Sequence, residues 1–145
     1  VDRKRLILLF LVFALPLFSK DNDEEGKKIW NNLASMKNPK QIPASIQAMN
    51  GKNTKIPGFM IALEMDGTAG EYTSEFLLVP APGMCIHVPP PPPNLTVHVR
   101  MQRGKRAKFS WDPVWVSGVF KVEKGKNKFN SSYYSMEGVK VEDYY

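Results

Sequence analysis

The chain has 145 residues, 43% of them hydrophobic and 23% charged, which is the length and composition of one ordinary globular domain. Lysine and arginine total 20 against 14 acids for a formal charge of +6, and outside the basic stretch Asp2 to Arg5 the balance falls to 17 cations against 13 acids. So mild a charge lacks the clustered basic face of a nucleic-acid binder, and a single cysteine excludes both an intramolecular disulfide and a four-cysteine zinc site.

Arg3-Lys4-Arg5 leads into an unbroken apolar run from Leu6 to Phe18, followed by Ser19 and the polar stretch Lys20 to Glu25. Basic flank, apolar middle and polar exit form the layout of a secretory signal peptide, here residues 1–19 with cleavage expected after Ser19. Thirteen apolar residues fall short of the roughly 20 needed to span a bilayer. The alternative is an uncleaved N-terminal anchor, which would be the chain's one attachment to a membrane. The expected location is the periplasm, and residues 20–45 read as a helix and linker ahead of a β domain over 46–145.

Within that linker a short helix is expected from Asp23 to Ala34. Glu24 and Glu25 would favour its dipole, and Ile29, Trp30 and Leu33 would form its apolar face. Pro39 and Pro43 end it. From Lys55 onward the helical period gives way to short strands bounded by glycine, proline or asparagine. Lys55 to Glu64 alternates, Glu75 to Val79 is apolar on both faces and reads as a buried strand, and Cys85 to Val88 is a short extended piece. Leu95, Val97, Val99 and Met101 then alternate with Thr96, His98 and Arg100, on the face where exposure is expected. Gln102 to Ser110 reads as an exposed basic loop whose four cations, Arg103 to Lys108, suit a solvated turn. Val114 to Glu123 is a strand in which Gly118 marks a bulge or close approach, and Ser132 to Tyr144 is the last. Five to six short strands with little helix predict a mainly β domain, a small curved sheet or OB-like barrel, with an open β-sandwich as the alternative.

Five consecutive prolines, Pro89, Pro90, Pro91, Pro92 and Pro93, cannot form a paired strand, because each lacks a backbone donor. They predict a polyproline II rod about 15 Å long. It serves either as an arch between strands or, with an aromatic such as Trp115, as a partner-binding surface. Just before it, Cys85 and His87 stand two residues apart, so an extended segment projects both from one face. A thiolate and an imidazole suit Zn(II) or Cu(I), with His98 as the candidate third ligand. The bland alternative is that Cys85 is a small core residue. Catalysis by the thiol is disfavoured because neighbours at i and i+2 rarely make a hydrogen-bonded nucleophile and base, so no enzyme is expected.

These motifs resemble a family of exported bacterial proteins of unassigned function. The resemblance rests on Ile56-Pro57-Gly58-Phe59, on Glu75 to Pro80, on Cys85-Ile-His-Val followed by the prolines and Asn94, on Pro113 to Gly118 and on Tyr134 to Gly138. Leu95 stands where that family usually has glutamine and His98 where it has an aromatic, so the resemblance carries over Cys85 and His87 rather than His98. It implies a gene neighbourhood of ABC-type transport and zinc-responsive periplasmic metal-binding proteins. The expected function is therefore a periplasmic accessory or binding protein of an envelope transport system, in zinc or other transition-metal homeostasis. The alternative is a structural protein-protein adaptor without a metal site. Nucleic acid is not an expected partner, because the strands lack a basic face with interleaved aromatics.

Overall fold

The computed structural model describes residues 18–67, 70–84, 89–126 and 131–145. Two helices, α1 (Phe18–Ala34) and α2 (Ala44–Gln47), precede seven strands: β1 (Asn53–Ala62), β2 (Tyr72–Thr73), β3 (Glu75–Val79), β4 (Val97–Met101), β5 (Ala107–Lys108), β6 (Val114–Lys126) and β7 (Ser131–Asp143). Helix α1 is longer than expected, beginning at Phe18 rather than Asp23, because Lys20 to Glu25 contains no helix breaker and places Asp21 in the first turn. A cut after Ser19 would fall inside this helix. Among the described residues no helix is long and apolar enough to cross a membrane.

Five strands close into a barrel in the order β1-β3-β4-β7-β6 and back to β1. All neighbours are antiparallel except β4 and β7, which run parallel from Val97 opposite Tyr134 to Met101 opposite Gly138. Closure removes the open sandwich, and the order with one parallel pair is that of an OB-like barrel. The barrel closes because β1 is shared: Asn53 to Gly58 pairs with β6, and Phe59 to Ala62 pairs with β3. Strand β6 slips register between Ser117 and Gly118. A side chain on Gly118 would run into the Glu137 carbonyl, so the expected bulge is a point of direct backbone approach.

Alternation sends Ile56 and Met60 of β1, Phe76 and Leu78 of β3, Val97, Val99 and Met101 of β4, and Phe120, Tyr134 and Met136 of β6 and β7 into one core. Trp30, Leu33 and Met36 from α1 and its exit, and Ile46 from α2, join that core, so the helix plugs the barrel instead of standing off as a spacer. Strand β3 is buried on both faces, with Leu77 and Val79 covered as fully as their inward neighbours. The expected exposed loop Gln102 to Ser110 is interrupted by β5, which pairs with β2 through Tyr72 opposite Lys108 and Thr73 opposite Ala107. The small side chain of Ala107 lies between cations and is buried. The face carrying Thr96 and His98 is also less exposed than its polarity suggests, since Thr96 is buried and bonds to the Pro92 carbonyl at 2.9 Å.

Helix α1 ends on side-chain donors. The Tyr134 hydroxyl donates to the Leu33 carbonyl at 2.6 Å, and the Asn94 amide donates to the Ala34 carbonyl at 3.0 Å, satisfying two of the acceptors a helix leaves unpaired at its C-terminus. Tyr134 is fully buried, and burial pushes its hydroxyl well above the ordinary phenol range. Tyr134→Phe leaves the buried Leu33 carbonyl with only the longer bond from Met36 N–H at 3.4 Å and is expected to cost about 1 kcal/mol. Its urea unfolding midpoint should fall with unchanged slope; an unaltered midpoint would mean the bond holds nothing.

Candidate functional site

Two places on the outside of the barrel gather chemistry. The first lies where α1 crosses β1. Pro57 has no backbone donor, but its carbonyl is free to accept, and the Trp30 indole N–H donates to it at 2.6 Å. That contact brings the helix close enough that Gly26 is buried, and a Cβ there would meet Pro57 Cγ at 3.1 Å. Pro57 pairs with Trp115 in register; Tyr144, following the last strand, stacks on Trp115 with ring centres 5.5 Å apart. The Tyr144 hydroxyl donates to Asp23 Oδ1 at 2.9 Å, so the chain's end is tied to its first helix. Burial first, and then the hydrogen bond to the Asp23 carboxylate, pushes this phenol up to about 12.

Between these elements lies an open cavity of about 390 Å³, within the size range of small-ligand and peptide sites. Its walls are Trp30, Phe59, Pro80, Pro113, Tyr144 and Tyr145, and its polar atoms come from Asp23, Lys27 and Asn31. Tyr145 is 84% exposed and stands edge-on to Tyr144 at 5.1 Å. Rings and prolines on a rigid scaffold provide apolar contact with little conformational freedom to lose.

The second place is the outer face of β3 and β4. Glu75 lies opposite Arg100 and Leu77 opposite His98, which sets the Glu75 carboxylate between the His98 and Arg100 side chains. His98 Nε2 is 2.6 Å from Glu75 Oε1, and Arg100 donates to the same oxygen at 3.4 Å. Burial raises the Glu75 carboxyl, but the His98 hydrogen bond with the His98 and Arg100 charges outweighs it and holds the group below its ordinary value. Ser135 is in register with His98 on β7 but donates to Glu123 Oε2 at 2.7 Å, so it forms no nucleophile and base pair with this imidazole.

The structure distributes the expected site residues unevenly. Cys85 and His87 lie outside the described residues. His98 is described, with one ring nitrogen engaged by Glu75, and among the described residues no group of three or more histidine, cysteine, aspartate or glutamate side chains is arranged to hold a metal ion. Pro91 is buried while Pro89, Pro90 and Pro92 are exposed, so the rod is docked along one edge. Pro92 has φ −57° and ψ 142°, the polyproline conformation, and Pro93 begins a 3-10 turn, Pro93–Leu95. Trp115, expected at a partner surface, is only 6% exposed: Tyr144 covers it and the Lys55 ammonium sits 5.0 Å over its ring. Its role is architectural. Gly26, Tyr144 and Glu75 escaped sequence reasoning, because nothing local in the sequence joins residues 121 apart such as Asp23 and Tyr144.

Fold and groove define a small closed β-barrel domain whose first helix runs along β1 and fills one end of the barrel. The chain belongs to the family described as Protein of unknown function (DUF3299), whose pattern matches residues 17–143. It is similar to the crystal structure of a DUF3299 family protein from Pseudomonas aeruginosa PAO1, with 37% identity over 88% of this chain and 83% of that one and a TM-score of 0.57. No curated protein matches it.

Glu75 supplies a pH test. A carboxyl held below its ordinary value contributes stability in full above that value and loses it as pH falls through the depressed folded one. Between about pH 5 and pH 3 the melting temperature of the wild type is therefore expected to drop more than that of Glu75→Gln. Parallel acid limbs would show that the Glu75, His98 and Arg100 contacts carry no net stabilisation.

Proposed function

We propose that the protein is a non-catalytic binding module of the bacterial envelope, an adaptor that takes an extended, apolar, proline-bearing segment of a partner protein into the groove between α1 and β1. One observation carries this reading: the groove is walled by Trp30, Phe59, Tyr144, Tyr145, Pro80 and Pro113 and has polar atoms along α1. Aromatic-lined grooves of this kind receive extended proline-rich chains, whose ordering cost is already low. The test is photocrosslinking in cells from residues replacing Lys27 and Tyr145, with Lys121 as a control on the β6 outer face. One discrete product shared by positions 27 and 145 and missing at 121 is expected. If neither groove position yields a product, the groove is not a partner site.

The Cys85 and His87 spacing supports a second reading, transition-metal handling for an envelope transport system, with Zn(II) or Cu(I) as the metal. It rests on donor chemistry alone: a thiolate and an imidazole on one face of an extended segment. Zinc and copper titration of the reduced chain beside a Cys85→Ala, His87→Ala double variant decides it. Stoichiometric binding tighter than about 1 μM, or about −8 kcal/mol, that vanishes in the variant is expected. Equal weak binding by both proteins returns the pair to architecture.

A further inference from the structure

One end of the barrel carries features that neither reading uses. Trp111 is 87% exposed and stands on the loop between β5 and β6, its ring edge-on to Phe109 at 5.0 Å. Beside it, Arg103, Lys105, Arg106 and Lys108 are all exposed. The Arg106 guanidinium lies 5.2 Å over Tyr72, which is itself 39% exposed, and Met65 on the same facing loop is 42% exposed. The acids at this end are Asp66, Glu71 and Asp112, with Glu142 and Asp143 on the far wall of the groove that Lys105, Arg106 and Lys108 line, where Glu142 is already engaged by Lys55 and Lys140.

The same end receives the start of α1. Trp111 stands three residues before Val114, whose register partner is Asp143; the next residue, Tyr144, accepts the Asn22 amide through its carbonyl at 3.5 Å and donates to Asp23. The chain therefore enters α1 beside the Trp111 loop, directly after the apolar run from Leu6 and its basic flank Arg3-Lys4-Arg5.

We propose that this end of the barrel docks on an anionic phospholipid surface, with Trp111 as the interfacial anchor and Arg103, Lys105, Arg106 and Lys108 as headgroup contacts. Tryptophan is favoured at the bilayer interface because its ring is apolar and its N–H polar. Clustered cations next to it are attracted by anionic headgroups. Trp111 projects without walls around it, which suits insertion into a soft interface better than capture of a nucleotide base. The outer face of β3 and β4 offers no stacking platform for a nucleic acid either: its described side chains are Glu75, Leu77, Val79, His98 and Arg100.

The experiment is co-sedimentation of the full chain with vesicles of phosphatidylcholine alone and with one-third phosphatidylglycerol, at low and high salt. The apolar run and its basic flank Arg3-Lys4-Arg5 are common to every variant, so the part of the phosphatidylglycerol advantage that is lost when the four patch cations are replaced isolates the patch. An advantage of at least several hundred-fold is expected at low salt, collapsing at high salt. Replacing the four cations with glutamine should cut it by roughly five-fold per cation near the surface, leaving only the share owed to Arg3, Lys4 and Arg5. Trp30 and Trp115 are buried, so a blue shift of emission on the vesicles comes from Trp111, and Trp111→Ala should remove the shift and weaken binding several-fold while leaving the unfolding midpoint unchanged. Equal binding to the two lipids, or an advantage indifferent to salt, overturns the proposal even if the quadruple variant fails to fold. So does quenching of Trp111 by a single-stranded oligonucleotide without any phosphatidylglycerol advantage, an outcome that assigns the surface to nucleic acid.

Discussion

The capture of two carbonyls at the end of α1 holds the rest of the molecule in place. A helix ending in a barrel mouth buries acceptors that its own backbone satisfies poorly, the Leu33 carbonyl receiving only the long 3.4 Å bond from Met36 N–H, and a buried acceptor left short of a donor costs more than an ordinary hydrogen bond returns. Tyr134 reaches Leu33 from inside the barrel and Asn94 reaches Ala34 from the exit of the proline run. Because both donors are needed, the strand that carries Tyr134 and the turn that carries Asn94 must converge on the same helical turn. Leu33, Met36 and Ile46 then fill the barrel end, and the earlier part of α1 has no course left except along Pro57 and Tyr144, where it makes one wall of the groove.

This arrangement gives the proline run a structural explanation. A rod with Pro91 against the protein and Pro89, Pro90 and Pro92 toward solvent cannot pair with a sheet edge, and it delivers Asn94 to the helix end as a stiff spacer. Leu95 N–H and the Thr96 hydroxyl both bond to the Pro92 carbonyl, which turns the chain from rod into strand. The aromatic residues divide in a similar way. Trp30, Trp115 and Tyr144 are committed to holding helix to barrel, whereas Trp111 and Tyr145 contribute little to the core and present most of their surface.

Much of the barrel was legible in the sequence. The alternation from Val97 to Met101, the doubly apolar run Glu75 to Val79 and the interruption at Gly118 each reported a local fact, and period and glycine placement are local signals. Ile29, Trp30 and Leu33 likewise marked the buried side of α1. Pairings were not legible. Glu75 was read only as a strand residue, since its relation to His98 and Arg100 depends on the register of β3 against β4. Trp115 was placed with the proline rod as a partner-binding aromatic, and its cover comes from Tyr144, beyond the end of a later strand. Pocket walls assembled from α1, β1 and the C-terminal residues have no signature in any window of sequence, which is why the groove was invisible until the strands were closed.

The parallel pairing of β4 with β7 carries a consequence for the order of assembly. The pairings of β1 with β3, β3 with β4 and β6 with β7 join consecutive strands of the barrel, whereas β1 with β6 and β4 with β7 are long-range, and β7 must insert between β4 and β6 with its end meeting α1. A chain that has grown only as far as β6 holds two raw edges and a helix without its second support. Closure waits for the final strand, so folding is governed by long-range contacts and is slow relative to a helical domain of equal length. During that wait the unpaired edges of β4 and β6 are templates for strands of other molecules, and loss of a few residues from β7 would convert a closed domain into an aggregating one.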